Sequence, residues 1–130
     1  IVILSIAILF TYACSKQEGC IDPNAANYIY EAKKNDGSCL YDLSFWMNTV
    51  IHGSVNIMVD QAYRGTLNCA WNSSHPTCGV DTLINTGYQC VLNVAMVPGN
   101  HFVRVEAEDG TVWENTYLLK ENCLSILITD

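Results

Sequence analysis

Cysteine is the chemically most versatile residue type in this chain, and seven of the 130 residues are cysteines. A cysteine thiolate can attack an electrophile or bind zinc, and two thiols can oxidise to a disulfide. So high a density is typical of proteins that fold in an oxidising compartment, where disulfides persist. No close Cys-x-x-Cys pair supports a zinc site. We therefore predict disulfides, and the odd count requires a different use for one cysteine.

The other catalytic residue types form no recognisable constellation. The histidines lie at a predicted strand end, in a long loop and beside a Pro-Gly turn: His52, His75 and His101. The sequence contains no Gly-x-Ser-x-Gly elbow, no His-Glu-x-x-His pair and no phosphate-binding loop. Asp60 with Glu106 or Glu108 could flank a sugar, but carboxylates on a sheet face are usually solvated. We expect a protein that is not an enzyme.

Length and charge restrict the class of protein further. A chain of this size is about one ordinary domain. Six basic against thirteen acidic side chains give a formal net charge of −7. A net negative charge repels the phosphates of a nucleic acid, so we exclude nucleic acid as a partner.

An uncharged apolar block, residues 1–13, precedes the first cysteine. It is shorter than the roughly 20 residues of a membrane-spanning helix, and it suits the core of a signal peptide that is truncated at its start. Ala13, Cys14 and the abrupt change to polar residues resemble the lipobox of bacterial lipoproteins. The resemblance implies that Cys14 is lipidated and becomes the mature N-terminus, with residues 14–18 as a tether. An ordinary secretion signal and a buried strand are the other interpretations.

The tether is similar to a sorting signal of the same kind of protein. Lys16 and Glu18 resemble the short signal that directs Bacteroidota lipoproteins to the outer face of the outer membrane. The resemblance implies an outer-membrane lipoprotein, exposed at the cell surface and attached to the membrane through its lipid anchor. If Cys14 carries lipid, six cysteines remain, and an even number suits a disulfide framework.

Residues 19–42 form a segment that is rich in turn-forming residues and too short to bury a core. It contains Cys20 and Cys39, and closing a loop of that size is worth roughly 3 kcal/mol, so we predict that they pair. The segment resembles a module of secreted Bacteroidota proteins, Gly-Cys-x-Asp-Pro-x-Ala-x-Asn-Tyr, a spacer, then Asp-Gly-Ser-Cys. The matching positions are Gly19, Cys20, Asp22, Pro23, Ala25, Asn27, Tyr28, Ala32, Asp36, Gly37, Ser38 and Cys39.

Oxygen-bearing side chains in the same segment are of the kind that calcium prefers. The candidate ligands are Asp22, Asn24, Asn27, Asn35 and Asp36. The alternative is that these residues form and cap turns in a spacer closed by its disulfide. Calcium is the only cofactor that the sequence suggests.

Apolar and polar residues alternate with period two from about residue 43 to residue 130, which is a strand signal. The predicted strands cover 45–51, 55–60, 63–68, 90–96, 101–108, 112–119 and 123–129. Short turns such as Asp109-Gly110 connect them, and residues 71–87 form a long loop. We predict an all-β fold, a small Greek-key-type β-sandwich of about seven strands, preceded by a signal helix and the short irregular module.

Three stretches of the predicted sandwich, 55–60, 63–67 and 97–105, resemble the small PEGA-like and transthyretin-like sandwiches of bacterial surface proteins. In those families an aliphatic strand ends in Asp-Gly, a Gly-Thr follows, and a Pro-Gly turn leads into an alternating strand. Gln61 replaces the glycine after Asp60 here, so we expect the first turn to differ. The resemblance implies no activity.

The sandwich contains four further cysteines. Cys69 and Cys78 bracket the long loop and could close it, in which case Cys90 and Cys123 would join two strands. Spacing alone leaves the crossed pairings open.

The long loop is the predicted binding surface, because loops on a rigid scaffold are common recognition sites. It contains Trp71 and His75, and an exposed tryptophan can stack on a sugar or anchor a protein. Trp46 and Trp113 lie in strands and are expected in the core. We therefore predict a surface protein for binding or structural interaction, with an unidentified protein or glycan ligand. The alternatives are a carbohydrate-binding accessory lipoprotein and a structural subunit that lends residues 123–129 as a strand.

One modification motif lies in the same loop. Asp81-Thr82-Leu83 is similar to the Asp-Thr-aliphatic pattern that Bacteroidota use for O-glycosylation of exported proteins. Thr82 is therefore a candidate glycosylation site, which intact mass would test.

Overall fold

The computed structural model describes residues 16–80, 82–84 and 87–129. The predicted signal helix over residues 1–13 and the predicted lipidation site at Cys14 lie outside the described residues. Asp81 of the glycosylation motif also lies outside them, whereas Thr82 is a strand residue.

The described chain is built from strands joined by turns and loops. They are β1 (Glu18–Gly19), β2 (Lys34–Asn35), β3 (Tyr41–Met47), β4 (Val55–Val59), β5 (Ala62–Leu67), β6 (Thr82–Ile84), β7 (Tyr88–Met96), β8 (Gly99–Ala107), β9 (Val112–Leu119) and β10 (Leu124–Ile128). Across 16–80, 82–84 and 87–129, no helix is long and apolar enough to cross a membrane.

Two four-stranded sheets form the body of the molecule. The first has the order β10-β3-β7-β6 and the second the order β5-β4-β8-β9, while β1 and β2 form a small parallel pair. Neighbours in the two large sheets are antiparallel, except that β10 runs parallel to β3 with Ile126 opposite Phe45. The all-β sandwich is confirmed. Its two sheets contain eight strands instead of about seven, because β6 lies within the predicted long loop.

The core lies between the two sheets because alternate residues of a strand point to the same face. Leu43 and Phe45 of β3 share one buried cluster with Ile57 of β4 and with Val103 and Val105 of β8. The strand alternation seen in the sequence therefore corresponds to the inward face of each sheet.

The turn between β4 and β5 is formed by Asp60 and Gln61, which have φ values of 52° and 66°. Two consecutive positive φ values are typical of a type I′ turn, which matches the twist of a hairpin. The turn thus reaches this conformation without glycine. Asp60 compensates through two bonds to Phe102: its carboxylate accepts the Phe102 N–H at 2.9 Å, and its own N–H donates to the Phe102 carbonyl at 2.8 Å.

The N-terminal module packs on the sandwich. Cys20, Ala25 and Cys39 belong to the same buried cluster as Tyr41 and the core of the two sheets. The first sandwich strand begins at Tyr41, just before the predicted boundary at residue 43. Module and sandwich therefore share one core.

Candidate functional site

Three disulfides link the six cysteines: Cys20–Cys39, Cys69–Cys90 and Cys78–Cys123. The predicted pairing within the N-terminal module is confirmed. For the other four cysteines, the pairing of Cys69 with Cys78 is wrong, and the structure has one of the crossed pairings.

Strand order explains the crossed pairing. Asn68 follows β5, and its N–H donates to the carbonyl of Gln89 on β7 at 3.1 Å. The Asn68 side-chain oxygen in turn accepts the Gln89 N–H at 2.7 Å. These bonds bring Cys69 beside Cys90, with their Cα atoms 4.8 Å apart. Cys78 is left to pair with Cys123, the residue that precedes β10.

The loop that contains Trp71 and His75 lies against the first sheet. The Trp71 N–H donates to the Met47 carbonyl at 2.8 Å, and its indole N–H donates to the Ser74 carbonyl at 2.7 Å. The exposed His75 ring contacts Trp46 edge-on at 4.7 Å, and Trp46 is 6% exposed. Trp71 is half-buried rather than fully exposed, and its indole donor is already bonded. This loop is a cover over Trp46.

Asp22, the first candidate calcium ligand, is a turn residue. One carboxylate oxygen accepts the Asn24 N–H at 2.9 Å, and the other accepts the Tyr41 hydroxyl at 2.6 Å. The Tyr41 bond, followed by the Asn24 N–H, lowers the pKa of Asp22. The same bond to Asp22 raises the pKa of Tyr41 to about 12. Asp22 therefore links the module to the first sandwich strand.

Three of the remaining candidate ligands, Asn27, Asn35 and Asp36, also bond the backbone. The Asn27 side chain donates to the Ser38 carbonyl at 2.7 Å and accepts the Leu40 N–H at 2.8 Å. Asp36 accepts the Ser38 N–H at 2.9 Å, and Asn35 accepts the Gly37 N–H at 3.0 Å. In the part of the chain that the structure describes, no group of three or more His, Cys, Asp and Glu side chains could hold a metal ion. The structure favours the turn-forming interpretation of these residues.

A crevice opens along the side of the sandwich where β10 ends the first sheet and β9 ends the second. Its hollow has a volume of about 220 Å³. Val103 and Val105 of β8 and Ile126 of β10 line its inner part, and all three are core residues. Trp113 and Tyr117 of β9 form an aromatic wall.

The register of β9 on β8 explains this lining. Trp113 lies opposite Val105 and Asn115 lies opposite Val103, so both residues share the inward face of the sheet. On that face, Trp113 and Tyr117 are half-buried and pack against the core, whereas Asn115 is exposed. The crevice therefore combines an apolar interior with a polar rim.

A smaller hollow continues the crevice past Trp113 toward His52. The His52 Nδ1 atom lies 2.6 Å from an Asp109 carboxylate oxygen, and the imidazole ring contacts Trp113 edge-on at 5.4 Å. The hydrogen bond from His52, followed by the Thr111 N–H, lowers the pKa of Asp109 to about 2. Asp109 is therefore ionised at neutral pH and holds the ring beside the crevice.

Thr111 and Asp109 do not form a nucleophile relay through His52. The Thr111 hydroxyl lies 3.4 Å from Nδ1, the same nitrogen that contacts Asp109. A nucleophile, histidine and acid in a relay use opposite ring nitrogens. Thr111 is therefore not placed to pass a proton through the imidazole ring to Asp109.

Sequence reasoning missed the crevice, because Trp113 was expected in the core and His52 was noted only as a residue near a strand end. One signal could have revealed it. Within the predicted strand 112–119, the alternation places Asn115 between two aromatic residues on the inward face. A polar residue in that position indicates that the face is open to solvent there.

The chain was compared with protein-family models, with curated proteins and with solved structures, and no match was found in any of the three. The site is therefore interpreted from its geometry and chemistry.

Proposed function

We propose that this chain is a non-enzymatic, lipid-anchored protein of the cell envelope whose β-sandwich binds a partner at the crevice between β9 and β10. The proposed anchor is Cys14, and the proposed location is the outer membrane with the sandwich exposed at the surface. The lipobox resemblance and the three disulfides support an exported protein.

The crevice is the observation that carries the binding proposal. Binding sites are concave and mostly apolar, with a few placed polar groups. Here core residues such as Val103 line a hollow of about 220 Å³, Trp113 forms part of its wall, and Asn115 lies at its rim. An apolar side chain of a protein partner suits such a hollow, because it would bury apolar area against the core.

The second candidate ligand is a glycan, which would bind a different surface from the crevice. Tyr63 is 64% exposed on the outer face of the second sheet. Its hydroxyl lies 2.8 Å from the Thr66 hydroxyl, which donates to the Asn56 side-chain oxygen at 2.6 Å. An exposed ring beside ordered polar groups suits a sugar, which presents an apolar face and hydroxyls.

The structural alternative, a subunit that lends its last strand, lacks a comparable observation. Residues 124–128 form β10, which pairs with β3 along its whole length within its own sheet. Lending that strand would remove Ile126 from the core, where it is 5% exposed.

The binding proposal is tested by screening the chain with Cys14→Ala against displayed random peptides and a glycan array. Thr129→Trp places a bulky ring at the rim of the crevice, Tyr63→Ala removes the exposed ring of the second sheet, and Trp71→Ala alters the loop. We expect peptide ligands that Thr129→Trp weakens at least tenfold and that the other two variants retain. Ligands that are insensitive to Thr129→Trp would contradict the crevice as the binding site.

The anchor is tested separately with labelled palmitate in cells that express the full gene. We expect label on the wild-type protein and none on Cys14→Ala. An unlabelled wild-type protein would refute the anchor without affecting the binding proposal.

A further inference from the structure

The outer edge of β9 is an unusually open strand edge. β9 has eight residues, and β8 pairs with its other edge over the whole length. No described strand pairs with the outer edge. Natural edge strands are commonly protected by lysine, proline, a bulge or short length. β9 has neither lysine nor proline, its one charged residue, Glu114, is paired with Arg104 of β8, and its register on β8 has no irregularity.

The direction of the backbone groups on this edge follows from one hydrogen bond. The Thr116 N–H donates to the side-chain oxygen of its neighbour Asn115 at 2.8 Å. Successive residues of a strand point their N–H and C=O groups to opposite edges. The backbone N–H and C=O groups therefore face outward at Val112, Glu114, Thr116 and Leu118. The Asn115 side chain accepts one of these N–H groups, that of Thr116.

We propose that this edge pairs antiparallel with β9 of a second copy of the chain, around a two-fold axis through Asn115. Directly opposed residues in an antiparallel pair point to the same face of the sheet. A two-fold axis perpendicular to the sheet must therefore lie midway between one residue and the same residue of the second copy. Centring the axis on Asn115 pairs residues 112–118 with their copies. Glu114 and Thr116 would then exchange hydrogen bonds across the interface, as would Val112 and Leu118.

The side chains of β9 are self-complementary in this register. Trp113 faces Tyr117 of the second copy, Val112 faces its Leu118, and Glu114 faces its Thr116. Aromatic and apolar pairs across strands are favourable, and like charges are not. An axis through Glu114 would instead place two carboxylates opposite each other. Charge therefore selects the axis at Asn115 over that neighbouring one.

Pairing of this kind would make one eight-stranded sheet from the second sheets of two copies. Trp113 and Tyr117 both line the crevice, so each copy would extend the aromatic wall of the other. Pairing through this edge does not depend on a ligand binding in the crevice.

The test is sedimentation equilibrium of the full chain with Cys14→Ala, expressed in an oxidising compartment. We expect a reversible dimer. Asn115→Lys places two lysines opposite each other at the axis, so we expect a monomer. Thr116→Lys adds the same charge one residue further on, opposite Glu114 of the second copy, and should tighten the dimer about fivefold, more at low salt. Thr66→Lys on the distant edge strand β5 is the matched control and should leave the dimer unchanged.

Circular dichroism checks that each variant is folded, and a cross-link gives a second readout that does not depend on Asn115→Lys. Asn115→Cys should yield a covalent dimer through that position upon oxidation. A monomeric wild type at every concentration overturns the proposal. It is also overturned by a dimer that persists in Asn115→Lys, or by equal weakening in both lysine variants. If displayed peptides bind this edge of a monomeric wild type, the occupant is a foreign strand instead.

Discussion

At the scale of single residues, the buried His101 and the exposed Asp60 form a pair that holds one end of the sandwich together. His101 is 4% exposed, and its two ring nitrogens lie 2.7 Å from an Asp60 oxygen and 2.8 Å from the Val97 carbonyl oxygen. Both neighbours are acceptors, so the ring donates from both nitrogens when it is protonated. The pair thereby joins the β4–β5 turn to the connection that leads into β8.

The pH dependence of this pair gives the first prediction. Burial alone would lower the pKa of His101, but the bonds to Asp60 and Val97 outweigh it and raise the pKa above 6.5. The bond from His101 lowers the pKa of Asp60 below 3.8. The contribution of His101 to the stability of the fold is complete below about pH 6.5 and is lost as pH rises through the raised pKa. The aspartate contribution is present above about pH 4 and is lost as pH falls through the lowered pKa.

Stability from this pair is therefore greatest between about pH 4 and pH 6.5. We expect His101→Gln to reduce the decline of the melting temperature between about pH 6.5 and pH 8. Melting curves across this range for the wild type, His101→Gln and His75→Gln provide the measurement. His75 is exposed and serves as the control. An unchanged pH profile in His101→Gln would contradict the assignment.

At the scale of elements, two disulfides attach residues 69–78 to the first sheet as a cover. Cys69 is bonded to β7, and Cys78 is bonded to the residue that precedes β10. Between them, Pro76 is buried and His75 contacts Trp46. This cover explains why both faces of β3 are buried.

The second prediction concerns the Cys78–Cys123 disulfide. Replacing both cysteines by serine should cost about 4 kcal/mol in the free energy of unfolding, because the bond closes a long loop. It should also loosen the cover and expose Trp46 to water. Urea unfolding gives the first quantity, and a red shift of tryptophan emission below the unfolding transition gives the second. If the emission of the folded double variant matches that of the wild type, the cover does not depend on this disulfide.

At the scale of the whole molecule, the N-terminal module and the sandwich share a buried cluster, so we expect them to unfold together. Cys20 and Cys39 lie in that cluster with Tyr41. The hydrogen bond from Tyr41 to Asp22 adds a polar link across the same junction.

The third prediction follows from this shared core. Replacing Cys20 and Cys39 by serine should destabilise the chain by about 3 kcal/mol. The loss should lower the midpoint of the tryptophan-detected transition, although all three tryptophans, Trp46, Trp71 and Trp113, lie in the sandwich. Thermal unfolding followed by fluorescence and by calorimetry provides the measurement. A tryptophan transition at the wild-type midpoint would mean that the module unfolds independently.

Much of the fold could be predicted because local patterns determine it. Alternation along 112–119 predicted a strand with the same bounds in the structure, and the strand predicted over 55–60 ends one residue earlier, at Val59. The β6 strand was missed because Thr82–Ile84 is short and is stabilised by pairing with β7, which no local pattern reports. The parallel pairing of β10 with β3 was also missed, since short connections favour antiparallel neighbours.

The candidate site was harder to predict for the same reason. Trp71 in a polar loop was expected to be exposed, yet its bonds to Met47 and Ser74 hold it against the sheet. The crevice lies between Trp113 of one sheet and Ile126 of the other, and no local sequence pattern indicates that these two residues are close in space. A site between two layers exists only after the layers have packed.

The sequence by itself determined the β-rich class, a framework of three disulfides and the Cys20–Cys39 pair, because alternation, cysteine number and turn residues are read locally along the chain. The tertiary structure decided which strands lie side by side, and with them the crossed disulfides, the covered tryptophan, the crevice and the open edge of β9. These features depend on contacts between residues that are distant in sequence, and only the packing of the two sheets brings such residues together.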